Sequence, residues 1–330
     1  MRKKTVILIL AGLLLILFCG CTFEKKTMLP KSGADAGYNV GSGEVAEKIE
    51  KIEIDWASGE VTLKRDSGST IRIDEPSEYL EDWQRVHWRV DGTTLHILFD
   101  RPGAVDFLNL DWGFGKKLTV TVPESLLLNE YAVSAASAEI SGSAAAKTLT
   151  VDTASGDVKL DCVSDDLRVG TASGGVELNC TAEQIRVETA SGAVVLRHSG
   201  EAKRVEIDTA SGKMEAVLGT VAELKANTAS GNVNISAESV LKADVDTSSG
   251  KVTMALADSP ASLEIETSSG DVTLTLPKEA DFDLKLDTAS GDFECEYAVV
   301  MKDDRYICGD GSGKLNIDTA SGDITIKKGN

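Results

Sequence analysis

LTVDTASGDVKL, residues 149–160, fits a strand, a tight turn and a second strand into twelve residues. Its apolar side chains sit at 149 and 151, then at 158 and 160, each pair separated by a polar residue. That period of two is the mark of a strand with one buried face. Ser155 and Gly156 interrupt it, at a point where glycine can take backbone conformations closed to other residues.

The phrase returns along the chain. T-[A/S]-S-G ends at Gly156, Gly174, Gly192, Gly212, Gly231, Gly250, Gly270, Gly291 and Gly322, with spacings of 18, 18, 20, 19, 19, 20, 21 and 31 residues. Degenerate copies come first: WASGEV puts Gly59 at the key position and SAASAEI puts Ala138 there. A unit of about 20 residues cannot bury its own apolar face and must stack on its neighbours. The expected fold is therefore all-β, a β-solenoid of about ten stacked strand-turn-strand coils with parallel pairing and an irregular β N-terminal cap. The repeat glycines are expected at φ > 0. The threonine three places before each glycine continues the inward set, so its hydroxyl is expected to find a partner in the next coil.

The flanks divide into segments. Residues 1–20 read as a lipoprotein signal peptide, with three basic residues ahead of an apolar run from Val6 to Phe18 that is short for a membrane span. Gly20 precedes Cys21, as in the bacterial lipoprotein signal, so Cys21 is the expected lipidation site and two acyl chains would anchor the chain stably. Residues 21–44 lack periodicity and read as a flexible tether, residues 45–128 as the irregular cap, and residues 129–330 as the repeats. Within the cap, VHWRVDGTTLHILF reads as a hairpin about Asp91-Gly92. At the far end Lys327 and Lys328 are expected to guard an exposed terminal strand.

Charge narrows the partners. The chain carries −19, and loses Arg2, Lys3 and Lys4 with the signal to reach −22. Such a surface is unsuited to nucleic acid or to lying flat on anionic lipid. The expected place is the extracytoplasmic face of the cell membrane, reached through the lipid anchor.

The TASGD-V-x-L repeats behind a lipoprotein signal, with strands ending in proline such as LTVTVPE (118–124) and VTLTLP (272–277), resemble the bacterial putative-adhesin family of β-strand-repeat proteins. The resemblance covers roughly residues 45–330. It implies a β-solenoid at the cell envelope, and some proteins with such domains resemble parts of envelope-stress responses.

Candidate chemistry is sparse. Four places before the glycine stand Asp152, Glu188, Asp208, Asp246, Glu266, Asp287 and Asp318, a column of carboxylates about 5 Å apart. Capping of turn amides accounts for them better than a metal site, and neither metal nor cofactor is expected. Cys295 and Cys308 flank the ten extra residues of the last repeat, where FECEYAVVMKDDRYIC reads as a hairpin, and are candidates for a cross-strand disulfide. Cys162 and Cys180 fall six places after their glycines, either bridged or as ordinary buried thiols. Eight of the sixteen aromatic residues lie between Trp56 and Phe114. Of these, Trp112 and Phe114 in DWGFG are either staples of the cap or contacts for a glycan or a partner protein.

Three histidines, and no serine elbow, Walker loop or metalloprotease motif, argue against an enzyme. The expected role is binding or structural: an adhesin-like lipoprotein contacting a surface polymer or envelope protein. The first alternative is a sensor in an envelope-stress response, acting through a membrane partner. A carbohydrate-active enzyme is the third reading.

Overall fold

The computed structural model describes residues 37–76, 80–99 and 115–329. Cys21, Trp112, Phe114 and the whole signal segment lie outside them. The chain is all-β, and its contacts divide it into two compact units, Met1–Gly175 and Val176–Asn330.

In the first unit, Lys51–Asp66 pairs in parallel with Leu128–Thr153, matching Gly59 to Ala138. The degenerate copies are therefore true coils, aligned on the key position. The register stacks Ile52 on Tyr131, Ile54 on Val133 and Val61 on Ile140, all almost fully buried. On its other edge Lys51–Asp66 pairs in parallel with Thr94–Leu98 and Lys116–Pro123. The spatial order is thus 94–98 and 116–123, then 51–66, then 128–142, so the first coil in sequence is second in space.

Antiparallel strands surround this block. His87–Asp91 and Thr94–Leu98 form the expected hairpin, with Asp91 opposite Thr94, so the loop is Gly92-Thr93, one residue beyond the expected centre. Gly92 is left-handed at φ +61°, as a two-residue hairpin loop requires. Strand structure starts at Asn39, which corrects the reading of 21–44 as tether throughout. Asn39–Val40 pairs with His87–Asp91, and Gly43–Val45 with Ile71–Asp74. Gly43 makes this docking physical, because a Cβ there would lie 2.4 Å from the Trp88 ring.

In the second unit the coils stack with equivalent residues in register. Ile185, Val205, Leu224, Ala243, Leu263, Leu315 and Leu284 form one buried column. Val194, Met214, Val233, Val252, Val272 and Ile324 form another on the return arms, all at most 1% exposed. Burying a side chain of this size is worth about 1.5–3 kcal/mol, and every coil contributes several.

The order at the C-terminal end departs from sequence. Gly313–Ser321 inserts between Ser262–Ser269 and Phe282–Thr288, and Ile324–Lys328 inserts between Val272–Leu276 and Phe293–Cys295. The Gly291 coil is outermost and the last coil in sequence is second to last in space. Lys327 and Lys328 therefore do not guard a terminal edge, since their strand is paired on both sides. The outer edge of Phe282–Thr288 is covered instead by an antiparallel hairpin, Val300–Lys302 with Arg305–Cys308. Its turn residues Asp303 and Asp304 both take positive φ, 50° and 58°, the geometry that matches strand twist in a two-residue loop.

The repeat turn corrects two expectations. Gly59, Gly250, Gly291 and Gly322 do take positive φ, at 103°, 147°, 143° and 150°, but Gly156, Gly174, Gly212, Gly231 and Gly270 are outside that region. What excludes a side chain there is close approach. A Cβ on Gly156 would lie 1.7 Å from the Ala138 carbonyl oxygen, and one on Gly212 would lie 1.8 Å from that of Gly192. The threonine hydroxyl, for its part, bonds within its own turn. Thr153, Thr171, Thr189 and Thr209 each accept the amide of the glycine three residues on, at 2.9–3.1 Å. From the Gly231 coil onward this bond is gone.

Candidate functional site

Outward-facing residues on the arm before each turn stack into columns, because the parallel register repeats the same position in every coil. One runs Glu188, Asp208, Asn227, Asp246, Glu266, Asp318, Asp287. Beside it runs Arg186, Glu206, Lys225, Asp244, Glu264, Asn316, Lys285. The predicted carboxylate column is thus brought together across the coils of the second unit, with Asn227 inserted.

The two ends of this surface differ in charge balance. Around the Gly192 and Gly212 coils, Arg186 pairs with Glu188 and reaches Glu206 at 3.1 Å, while Arg204 reaches Glu206 and Glu223 at 3.4 and 3.1 Å. Asn227 donates to the Asp208 carboxylate at 2.5 Å. Around the Gly250 to Gly322 coils the columns set carboxylate beside carboxylate: Asp244 by Glu264, and Asp246 by Glu266 by Asp318. Asn316 donates to Glu264 at 3.1 Å. Burial first, then the charges of Asp244 and Glu266, push the Asp246 carboxyl up to about 6. Burial likewise raises Asp208 and Asp244, against the nearby Asn227 and Lys225 respectively. Among the described residues no group of three or more His, Cys, Asp or Glu side chains is placed to hold a metal ion.

Turn amides are capped by the residue that follows the glycine. It reaches across to the next coil: Asp157 accepts from Gly175 at 2.7 Å, Asn232 from Lys251 at 3.0 Å, Asp271 from Asp323 at 3.2 Å, and Asp323 from Asp292 at 2.9 Å. The signal was present in sequence as Asp or Asn at that position, but it is absent from Lys213 and Lys251 and so looked irregular.

A buried ion pair in the cap had no sequence signal. The Lys116 ammonium lies 2.9 Å from a Glu75 carboxylate oxygen, both side chains at most 2% exposed. Lys116 also donates to the Gln84 carbonyl at 2.6 Å and sits over the Trp56 and Phe99 rings. The second Glu75 oxygen accepts the Val86 amide at 2.8 Å. Losing either partner would strand a buried charge, so the pair ties five separate segments of the cap into one arrangement. The cap histidines serve the same packing: His87 is buried with Nδ1 2.9 Å from the Arg85 carbonyl, and His96 lies 2.9 Å from Glu53.

None of the four described cysteines is in a disulfide in this structure; Cys162 and Cys180 are buried, Cys295 and Cys308 half-buried. No helix among the described residues is long and apolar enough to cross a membrane.

With coils, turns and surface in place, the family follows from residues 49–327, which match the model of the Toastrack DUF4097 family. The chain belongs to the Toastrack family. The match starts at Ile49, just ahead of the Gly59 coil, so the Toastrack unit includes the cap as well as the regular repeats. No curated protein matches the chain significantly. Two solved structures similar to this Toastrack chain each cover 88% of it. One is titled a putative cell adhesion protein from Clostridium sporogenes ATCC 15579, at 11% identity, 100% coverage of that chain and a TM-score of 0.23. The other is titled a putative adhesin from Bacteroides fragilis NCTC 9343, at 14% identity, 98% coverage and a TM-score of 0.36.

Proposed function

We propose that this Toastrack chain is a lipid-anchored envelope protein whose solenoid presents a rigid binding or structural surface, with no chemistry of its own. The observation that carries the reading is the in-register outer face. Coil stacking repeats each outward side chain about every 5 Å, a spacing suited to contacting an extended polymer or a partner at several points. Its carboxylates are neutralised by arginine around the Gly192 and Gly212 coils and left adjacent to one another around the Gly250 to Gly322 coils. Nothing in that arrangement poises a nucleophile or a general acid against a cleft, which favours contact over catalysis.

Anchoring would run through Cys21, and recognition through the outer face together with Trp112 and Phe114. The test is binding of the purified chain to isolated wall and membrane fractions, compared with Trp112→Ala plus Phe114→Ala and with Asp244→Asn plus Glu264→Gln. Binding reduced at least tenfold by either pair supports an adhesin. Full-length chain that binds neither fraction, but is captured by one membrane protein, would replace this reading with the sensor.

A further inference from the structure

We propose that Cys295 and Cys308 form a disulfide that latches the C-terminal hairpin onto the outermost coil. The geometry comes from two strands that present alternate residues to the same space. Phe293, Cys295 and Tyr297 alternate along the return arm of the Gly291 coil, while Tyr306 and Cys308 alternate along the hairpin strand Arg305–Cys308. The Phe293 and Tyr306 rings meet at 4.7 Å between centroids.

One pleat further along each strand comes a cysteine, and the direction of the strands keeps the two in step. The start of the first arm, Phe282, touches the end of the return arm, Tyr297, at 5.3 Å between rings. The two arms therefore run oppositely. Arg305–Cys308 is antiparallel to the first arm, with Cys308 directly opposite Phe282, so it runs the same way as Phe293–Cys295. The contact Phe293 to Tyr306 is thus followed by Cys295 to Cys308.

The reduced thiols are consistent with this neighbourhood. Burial pushes both thiols up, and Cys308 is raised further by the charge of Cys295. The Cys308 thiol donates to the Ala280 carbonyl at 3.2 Å, a contact of the kind a sulfur gives up when it bonds elsewhere. The remaining hairpin contacts are polar and partly exposed, with Arg305 and Lys314 sharing Asp283. A crosslink closing a loop of about 14 residues would add to these contacts by constraining the unfolded chain.

Formation needs an oxidant, here a low-molecular-weight disulfide such as glutathione disulfide. One cysteine thiolate attacks it and expels a glutathione thiolate. The second cysteine then attacks the mixed disulfide and expels another. The protein loses two protons and two electrons, and the oxidant gains them as two thiols.

The test uses the full chain, equilibrated with glutathione disulfide, alkylated natively and then cleaved by trypsin. Cleavage after Lys302 and Arg305 separates the cysteines, so a bridge appears as peptide 286–302 joined to peptide 306–314 and disappears on reduction. Reduction should also lower the Tm of the wild type by about 5 °C and leave that of Cys295→Ser unchanged. Recovery of both peptides singly alkylated, or carrying only separate glutathione adducts, would overturn the proposal, as would a bridge from either residue to Cys162 or Cys180.

Discussion

The coils at Gly156 to Gly212 and those at Gly250 to Gly322 carry nearly the same four turn residues and bond them differently. In the first group the threonine hydroxyl accepts the glycine amide of its own turn. In the second, the Gly291 coil apart (its strand ends at Thr288), the strand runs on through the serine, and the glycine amide donates to the serine carbonyl of the adjacent coil: Gly250 to Ser269 at 3.2 Å, Gly270 to Ser321 at 3.0 Å, Gly322 to Ser290 at 3.1 Å. The hydroxyls of Thr247, Thr267 and Thr319 are then buried without a hydrogen bond in the protein. Gly231 belongs to this second group by both criteria, donating to Ser249 at 3.1 Å while Thr228 goes unpaired. The lesson is that a backbone amide has one hydrogen to give, and an extra inter-coil ladder bond is made at the expense of a side-chain one. A net ladder bond and a net side-chain bond are each worth about 1 kcal/mol, close enough that neighbouring coils decide between them.

Four substitutions would break or sharpen this contrast. The largest effect is expected from Gly212→Ala or Gly250→Ala, whose new Cβ would lie 1.8 and 2.1 Å from the neighbouring glycine's carbonyl oxygen. Backbone must move in either turn type, so each should lose roughly 3 kcal/mol in denaturant unfolding. A loss confined to one of them would mean that close approach is not the shared constraint. Next come Thr209→Val and Thr247→Val. The first orphans the buried Gly212 amide and should cost about 1–2 kcal/mol; the second removes an unpaired hydroxyl and should be neutral or stabilising. Equal destabilisation would refute the division into two turn types.

Asp246→Asn tests the crowded carboxylates. A folded-state pKa of about 6, above the value of 3.8 typical of an aspartate, means the folded chain binds the extra proton between pH 4 and 6. Its stability therefore falls as pH rises through that window. The substitution should stabilise by about 1 kcal/mol at pH 7, discounted for partial exposure, and by almost nothing at pH 4. A gain that is the same at both pH values would show that charge is not the cause. The smallest effect is expected for Asp271→Ala, which removes the cap on the Asp323 amide. It should cost about 0.5–1 kcal/mol, and the matching change at Ala193, Ala193→Ser, should leave thermal stability within experimental error.

The candidate surface was only half legible. The acidic column could be read from the repeat because a strand's outward positions are set by local alternation. Its split into neutralised and crowded portions could not, since it depends on Arg186 and Arg204 reaching along neighbouring coils. The Lys116–Glu75 pair was invisible for a related reason. Its members are 41 residues apart in sequence and belong to no repeat, so nothing local marks them as partners. The capping residue after the glycine was in plain view, but its acceptor role crosses coils, so nothing within one repeat marks it.

By itself the sequence determined the repeat length, the strand-turn-strand unit, the buried columns and the parallel register. Each of these follows from side-chain alternation and a glycine that admits no Cβ, both of which act within one unit or between identical units. Tertiary structure alone decided the order of the coils at the ends. Near-identical coils offer near-identical edges, so Lys51–Asp66 and Gly313–Ser321 could pair with more than one neighbour. Each is instead paired on both edges and covered by a coil from farther inside the chain. The reason is that an unpaired strand edge leaves backbone amides and carbonyls without partners. The 27 residues between Asp66 and Thr94, and the hairpin after Cys295, are long enough to let the chain turn back and satisfy them.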